Sequence, residues 1–321
     1  MNEHSSEELI SVVIPAFNAG RYIARTLEAV LQQTHQNLEI IVVDDGSTDD
    51  TSAEVQRLAA VDQRIVLIRT ERHGVSHARN VAIARASAEY IAPIDADDVW
   101  KPEKLRRQFA LFNGAPVETG VVYCGAAGID DDDRVVLPVW NNRYESGDVL
   151  HALIETGLLS CGSTPLIRKR YIEQVGGYDE ELHLAEDWKF YTALAGVCRF
   201  AVIPECLTGY RIRNDSSSVQ LEPMRDALAR CTAWIRATWP DIPARVMRER
   251  DFTIQTYLAF MAIRAGKYSS VPAYLARAAS IKPREIVGLS IWQFAFLLVA
   301  RAAGYRRFAW SFWRAPEPFF R

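Results

Sequence analysis

Tyr90-Ile-Ala-Pro-Ile94 runs directly into Asp95-Ala-Asp97-Asp98, a short apolar stretch that ends in three closely spaced carboxylates. Four to six apolar residues bounded by polar ones fit a buried strand. Working backwards, Ile10-Ser-Val-Val-Ile14 is a similar run stopped by Pro15, Leu38-Glu-Ile-Ile-Val-Val43 is closed by Asp44-Asp45-Gly46, and Arg64-Ile-Val-Leu-Ile68 precedes Arg69. Between these runs the apolar period changes from two to about 3.6. Arg21 to Gln33 carries Tyr22, Ile23, Leu27, Val30 and Leu31 at helical spacing, a second helix is expected to open near Thr51 with Thr51-x-x-Glu54 as a capping box, and Val75 to Ala86 is a third. Strand and helix in alternation predict an α/β fold, a Rossmann-like and mostly parallel sheet with helices on both faces. Ligands of such sheets sit outside the carboxyl ends of the strands. Pro15, Asp44, Arg69 and Asp95 all stand at those ends, so they are expected to converge.

Beyond Asp98 the pattern loosens. Lys101 to Asn113, Asp148 to Glu155 and Leu184 to Leu194 read as helices, and Gly120–Cys124, Pro165–Ile167 and Phe200–Ile203 as strands. Asp130-Asp-Asp-Asp133 has no calcium-loop spacing and reads as a solvated turn. Asn214-Asp-Ser-Ser-Ser218 marks a boundary, followed by about a hundred helix-prone residues. The expected division is a domain over 1–219, with halves at about 10–100 and 101–219, and a helical C-terminal region over 220–321.

The formal net charge of −3 over 321 residues hides a split. Residues 1–219 hold 21 Lys and Arg against 33 Asp and Glu (net −12), while residues 220–321 hold 16 against 7 (net +9). An acidic front half makes nucleic acid a poor partner. The five cysteines are scattered and odd in number, without a CxxC pair, which argues for reduced thiols and against a zinc ribbon. The polar, acidic start is no secretory signal, so a cytoplasmic chain is expected.

Asp-rich strand ends can hold a hard divalent cation, Mg or Mn, that completes its oxygen shell from phosphates. Six motifs in order support that reading: Val12-Val-Ile-Pro-Ala-Phe-Asn18, Val42-Val-Asp-Asp-Gly-Ser-Thr-Asp49, Gly74-Val-Ser-His-Ala-Arg-Asn80, Ile94-Asp-Ala-Asp-Asp98, Gly176-Gly-Tyr-Asp179 and Glu186-Asp-Trp188. In these residues the chain, from about 10 to 215, resembles family 2 of the glycosyltransferases, with the GT-A fold. The resemblance implies an inverting, metal-dependent enzyme. It would move a sugar from a nucleoside-diphosphate donor, a UDP-sugar by expectation, to a hydroxyl of a glycan or lipid-linked acceptor in cell-envelope polysaccharide synthesis.

By the same resemblance, Pro15, Ala16 and Phe17 line the base slot, Asp44 accepts from the base's imide N–H, and Arg69 adds a contact there. Asp95 and Asp97 form the DxD motif, the first facing ribose or sugar hydroxyls and the second binding metal, with Asp98 assisting or capping a helix. Arg79 approaches the diphosphate, orders the metal carboxylates, or makes a structural ion pair. Asp187 is the general base, with Glu186 orienting it or binding acceptor. Two departures stand out: Glu71-Arg-His73 where relatives often carry Asn, and Arg213 where the Tyr-Arg-x-His pattern expects His, which leaves any diphosphate role to Arg211 or Arg213. Two other classes fit these residues less well. A sugar-phosphate nucleotidyltransferase would want a Gly-rich basic loop after the first strand, which Pro15-Ala-Phe-Asn-Ala-Gly20 does not supply; a non-catalytic nucleotide-sugar-binding subunit would lack the DxD or Glu-Asp pair.

The apolar run Ile286–Ala300 is short of the roughly 20 residues a spanning helix needs. It precedes Tyr305-Arg-Arg-Phe-Ala-Trp-Ser-Phe-Trp-Arg314, which interleaves aromatics with arginines as interfacial helices do. Residues 285–321 are therefore expected to meet an anionic membrane surface on its inner face, the alternatives being a buried helix or a homo-oligomer contact.

Overall fold

The computed structural model describes residues 8–137, 144–157, 159, 161–213, 220–286 and 318–320. They form two compact units, one of residues 1–150, 158–212 and 316–321 and one of 151–157 and 213–315. The first holds the sheet. Its strands are β1 (Ile10–Ala16), β2 (Leu38–Asp45), β3 (Ile65–Thr70), β4 (Tyr90–Pro93), β5 (Val99–Trp100), β6 (Thr119–Ile129), β7 (Val135–Leu137), β8 (Leu166–Arg168) and β9 (Arg199–Arg211). They run in the order β3-β2-β1-β4-β8-β6-β9-β5, with β7 paired to β6. β3, β2, β1 and β4 are parallel, as the alternation predicts. β8 then enters antiparallel to both β4 and β6, and β9 runs parallel to β6 and antiparallel to β5.

One face of the sheet packs helices α1 (Ile23–Leu31), α2 (Thr51–Ala59) and α4 (Lys104–Gly114). Leu27, Val30, Val55, Leu105 and Phe112 share a core there with Val12, Ile14, Ile40, Val42 and Ala92. The alternate residues Val13, Ile41 and Val43 are equally buried, on the face covered by α3 (Val75–Arg85). Burial on both faces explains why these strands read as continuous apolar runs rather than alternating ones.

Three local expectations are corrected. Thr51 is the first residue of α2, and no capping box forms: its hydroxyl accepts from Ala19 N (2.8 Å) and donates to Asp49 Oδ1 (2.5 Å), which ties the ends of β1 and β2 together instead. β6 and β9 extend well past the apolar cores read from sequence, to Ile129 and Arg211. The Asp130–Asp133 turn is more than solvated: it pairs with Arg21, Arg25 and Arg211.

The second unit is helical, built on α5 (Leu150–Thr156), α8 (Leu221–Thr238), α9 (Ala244–Arg264) and α10 (Val271–Ile281). α6 (Lys169–Val175) and α7 (Glu186–Ala195) belong to the first. In the helical unit Arg250 is fully buried, donating through Nε to Thr232 Oγ1 (3.0 Å) and through Nη1 to the Ile154 carbonyl (3.2 Å). Most of 285–321 lies outside the described residues, and the expected membrane segment with it. Among the described residues no helix is long and apolar enough to cross a membrane.

Candidate active site

Strand register builds the first part of the site. Ala16, Asp44 and Arg69 stand side by side across β1, β2 and β3. Asp44 is wholly buried: one oxygen accepts from Ser47 N (2.9 Å), the other from the Ser52 hydroxyl, and Arg69 Nε lies 3.8 Å away on an otherwise exposed side chain. Pro15 and Ala16 are buried, whereas Phe17 is exposed with the Arg72 guanidinium 4.1 Å from its ring centroid. Asn18 takes a left-handed conformation (φ 47°), which Asn tolerates better than most residues. Its N–H donates to Ser47 Oγ and its Oδ1 accepts from Thr48 N, both at 2.9 Å. Asp45 accepts from His73 N (2.9 Å) and Gly74 N (2.7 Å), fastening the loop that leads into α3; Gly74 has φ 104°, a conformation open to glycine.

The second part gathers the remaining acids. Asp95 and Asp97 are partly exposed, whereas Asp98 is completely buried. Asp98 Oδ2 accepts from Ser163 Oγ (2.5 Å) and Oδ1 from Arg211 N (2.9 Å), so this carboxyl is spent on holding the loop. Burial pushes it well above the usual carboxylate range, with Asp97 and Asp95 adding to the effect. The Arg211 guanidinium is equally committed, to the carbonyls of Asp97 (2.7 Å) and Asp130 and to Asp133 Oδ1 (2.5 Å).

Arg79 joins the DxD segment to the Glu-Asp pair. Almost fully buried, it donates through Nη2 to Asp95 Oδ1 (2.6 Å) and through Nη1 to Glu186 Oε1 (2.8 Å), with the Tyr178 ring 5.0 Å away. Burial works against its charge, but Asp95, Tyr178 and Glu186 hold it charged. The next residue of the motif, Asn80, accepts from Tyr178 N (2.8 Å) and donates to its carbonyl (2.9 Å). That clamp leaves no room at Gly177, where a Cβ would lie 2.7 Å from Asn80 Oδ1 and φ is +78°. Thus Ala78-Arg79-Asn80 and Gly176-Gly-Tyr178 form one assembly.

Glu186 and Asp187 open α7, where a helix N-terminus favours negative charge. Burial nevertheless dominates. It raises Glu186 to about 7, with Asp187 adding and Arg79 opposing, and it raises Asp187 against the pull of Arg79 and the Trp188 N–H. The residue before them, Ala185, sits at φ 57° in the left-handed region, which costs a Cβ-bearing residue roughly 1–2 kcal/mol. Local strain beside two half-buried acids with raised pKa values is typical of a reactive site.

The sequence-derived residues thus fall into two groups. Pro15, Ala16, Phe17, Asp44 and Arg69 line the β1–β3 edge; Arg79, Asp95, Glu186 and Asp187 gather around one guanidinium, with Asp97 in the same strand-end loop. Ser163, which donates to Asp98 and accepts from Asp95 N (2.9 Å), is not marked in the sequence, and neither is Arg72. Nothing around Ser163 in sequence signals it; Arg72 lies inside the unusual Glu71-Arg-His73 departure. Neither arginine of the Tyr210-Arg211-Ile-Arg213 segment is placed on the diphosphate side by its described contacts. Arg211 faces the loop backbone, and the Arg213 carbonyl accepts from Arg264 Nη2 (3.0 Å) in the helical unit.

Residues 11–176, just over half of the chain, match the model for Glycosyl transferase family 2, and the chain belongs to that family. It is 28% identical over 221 residues to an uncharacterized glycosyltransferase of Haemophilus influenzae, covering 66% of this chain and 68% of that one. The chain spans 60–68% of the length of three of the curated relatives it matches and 29–30% of two others, one of them the chondroitin synthase of Escherichia coli. Two solved structures share the fold. The mannosyltransferase PcManGT from Pyrobaculum calidifontis, in complex with GDP-Man and Mn2+, aligns with TM-score 0.60 at 22% identity over 96% of this chain and 84% of that one. S. aureus TarS 1-349, in complex with UDP-GlcNAc, aligns with TM-score 0.59 at 18% identity over 92% of each.

Proposed function

We propose that this glycosyltransferase is inverting and divalent-metal-dependent, and that it moves a sugar from a nucleoside diphosphate to a hydroxyl of a glycan or lipid-linked acceptor. The observation that carries the reading is the Arg79 bridge, which puts a strand-end carboxylate of the donor side and the half-buried pair Glu186-Asp187 around one cation. A transferase needs that adjacency, because the departing diphosphate and the attacking hydroxyl flank the same anomeric carbon.

The oxygen donors at the end of β4 fit a hard cation. Asp98 is completely buried and bonded on both oxygens, so the protein offers Asp97 and Asp95, one or two carboxylates of the kind that leave room for phosphate oxygens and water. Bound there, Mg or Mn supplies neutralisation of the diphosphate leaving group. Mn2+ accompanies the donor in PcManGT, which supports the same use here.

Asp187 takes the acceptor proton as the new bond forms, and Glu186 orients it or holds acceptor. Inversion follows from a single displacement with the base on the face opposite the leaving group. At the β1–β3 edge, Phe17 offers a flat apolar surface, and Asp44 would accept the imide N–H of uracil by sharing an oxygen now bonded to Ser47 N or the Ser52 hydroxyl. One fold holds GDP-Man in PcManGT and UDP-GlcNAc in TarS, so the preference for UDP rests on Asp44 and Arg69. The basic balance of residues 220–321 supports a lipid-linked or cell-envelope glycan acceptor presented at an anionic surface.

A donor panel of UDP-, dTDP- and GDP-sugars, with and without Mg or Mn, scored for nucleotide release, tests the reading. Release from a UDP-sugar that needs metal is expected; metal-independent release would contradict the cation's role, and a GDP-sugar preference would remove the base assignment. Co-sedimentation of the full chain with anionic liposomes at low salt tests the acceptor reading, which fails if the chain stays in the supernatant.

A further inference from the structure

Behind the DxD segment lies a groove that the proposed reaction does not use. It is formed by Ala29 of α1, Val99 of β5, and Ala127 and Ile129 of β6, with Val135 and Cys206 at its rim. Phe319 fills it and is 2% exposed. The contact is specific as well as apolar. Phe319 N donates to the Asp133 carbonyl (3.0 Å), Pro318 makes a bridge to Arg134, and Lys101 lies 5.2 Å from the Phe319 ring centroid. Phe320 stands under the Arg25 guanidinium at 4.9 Å, and Arg25 Nε in turn donates to Asp133 Oδ2 (2.7 Å).

Asp133 is the junction. Its φ of 59° is left-handed, a conformation an aspartate holds when its surroundings fix it. One carboxylate oxygen takes Arg25 and the other takes Arg211, the buried arginine whose Nε holds the Asp97 carbonyl and whose main-chain N–H holds Asp98. An unbroken set of contacts therefore runs from Phe319 through the Asp130–Asp133 turn and Arg211 to the loop carrying Asp97.

We propose that the groove between α1, β5 and β6 is a docking site for the Pro318-Phe319-Phe320 segment of this chain, and that its occupancy positions Asp97 and Asp98 through Asp133 and Arg211. Phe319 is a positioning residue: it touches neither donor nor acceptor. Residues 213–315, most of the helical unit, lie between Arg211 and this segment in the chain. The functional consequence rests on the reading of Asp97 as a donor-side residue; the positional one does not.

Hydrogen exchange on the full chain separates the two. Phe319→Ala is expected to accelerate exchange at least about tenfold both in residues 130–134 and in residues 96–99 and 211–212, with a millimolar synthetic peptide of residues 315–321 restoring protection. Phe320→Ala, which removes only the ring under Arg25, is expected to give the same pattern more weakly and serves if Phe319→Ala does not fold. Acceleration confined to 130–134 would overturn the positioning step, and unchanged exchange everywhere would overturn the docking. In a parallel titration, Mn-dependent UDP affinity is expected to fall several-fold in Phe319→Ala. If Asp97→Ala also leaves UDP affinity unchanged, the donor reading of Asp97 fails while the exchange result stands.

Discussion

The two halves of the sheet edge treat their acids in opposite ways. At the ends of β1–β3, Asp44 and Asp45 are buried and their oxygens are met by main-chain N–H groups and hydroxyls, with Arg69 outside. Around the end of β4 and the start of α7, Asp95 and Glu186 share one guanidinium whose charge also acts on Asp187, and burial raises Glu186 and Asp187 from their ordinary values. Acids of the first kind fix loops. Acids of the second kind are held near the point where a proton or a metal changes their state, which is what transfer chemistry requires. Asp98 shows that the division follows hydrogen bonding rather than sequence neighbourhood. It adjoins Asp97, yet Ser163 and Arg211 make it a structural acid.

The sharpest way to break this contrast is Asp187→Asn. Transfer is expected to fall by about two to four orders of magnitude, the usual worth of a positioned base, with donor affinity kept. Unchanged turnover would return Asp187 to the structural group. In the wild type, the acid limb of kcat/KM should track the Glu186-Asp187 pair. With Glu186 raised to about 7, activity that needs the carboxylates is lost as pH falls through neutrality rather than near pH 4.5. Arg79→Met ranks next. It leaves Asp95 and Glu186 without their shared cation, at a cost on the order of 3 kcal/mol for a broken buried ion pair. It also removes the charge that lowers Glu186 and Asp187, so the acid limb should move to higher pH. A denaturant melt and a pH–rate profile of this variant check the two effects separately.

Much of this was legible in the residues. Apolar runs with carboxylates at their ends predicted the parallel strands, and their register brought Ala16, Asp44 and Arg69 into one row. By resemblance the motif Ala78-Arg79-Asn80 pointed Arg79 to the metal carboxylates, of which it bonds Asp95, but it gave no sign of the partners that lie about a hundred residues away. Arg79 reaches Glu186, and Asn80 reaches Tyr178. The antiparallel entry of β8 was not legible either, since three residues of apolar sequence carry no direction. Thr51-x-x-Glu54 misled for a related reason: the hydroxyl that local pattern assigns to a helix cap is claimed by Ala19 N, 32 residues earlier in the chain. Tertiary partners decided each of these cases.

Lys104 sharpens the contrast from outside both halves. It is completely buried, bonded to Gln108 Oε1 (2.9 Å) and 3.9 Å from the Trp100 ring centroid, and burial lowers it to about 8. Because its folded value lies below the unfolded 10.5, stability is expected to rise with pH between about 8 and 10.5, the unfolded chain alone keeping the proton in that window. Lys104→Met should therefore stabilise the protein at pH 7 by about 1–3 kcal/mol, a gain that shrinks towards pH 10 in thermal melts. The smallest effect is expected from Asp44→Asn. It retains an acceptor for Ser47 N, so stability should drop by about 1 kcal/mol, while UDP affinity weakens more than GDP affinity.

The division of the sheet edge is tested most directly by titrating UDP into wild type and Asp97→Ala, each with Mn present and after chelation. The expected result is tight, Mn-dependent binding in wild type and weak binding in Asp97→Ala that no longer responds to Mn. Equal affinity in all four titrations would contradict the assignment of Asp97 to the metal and diphosphate.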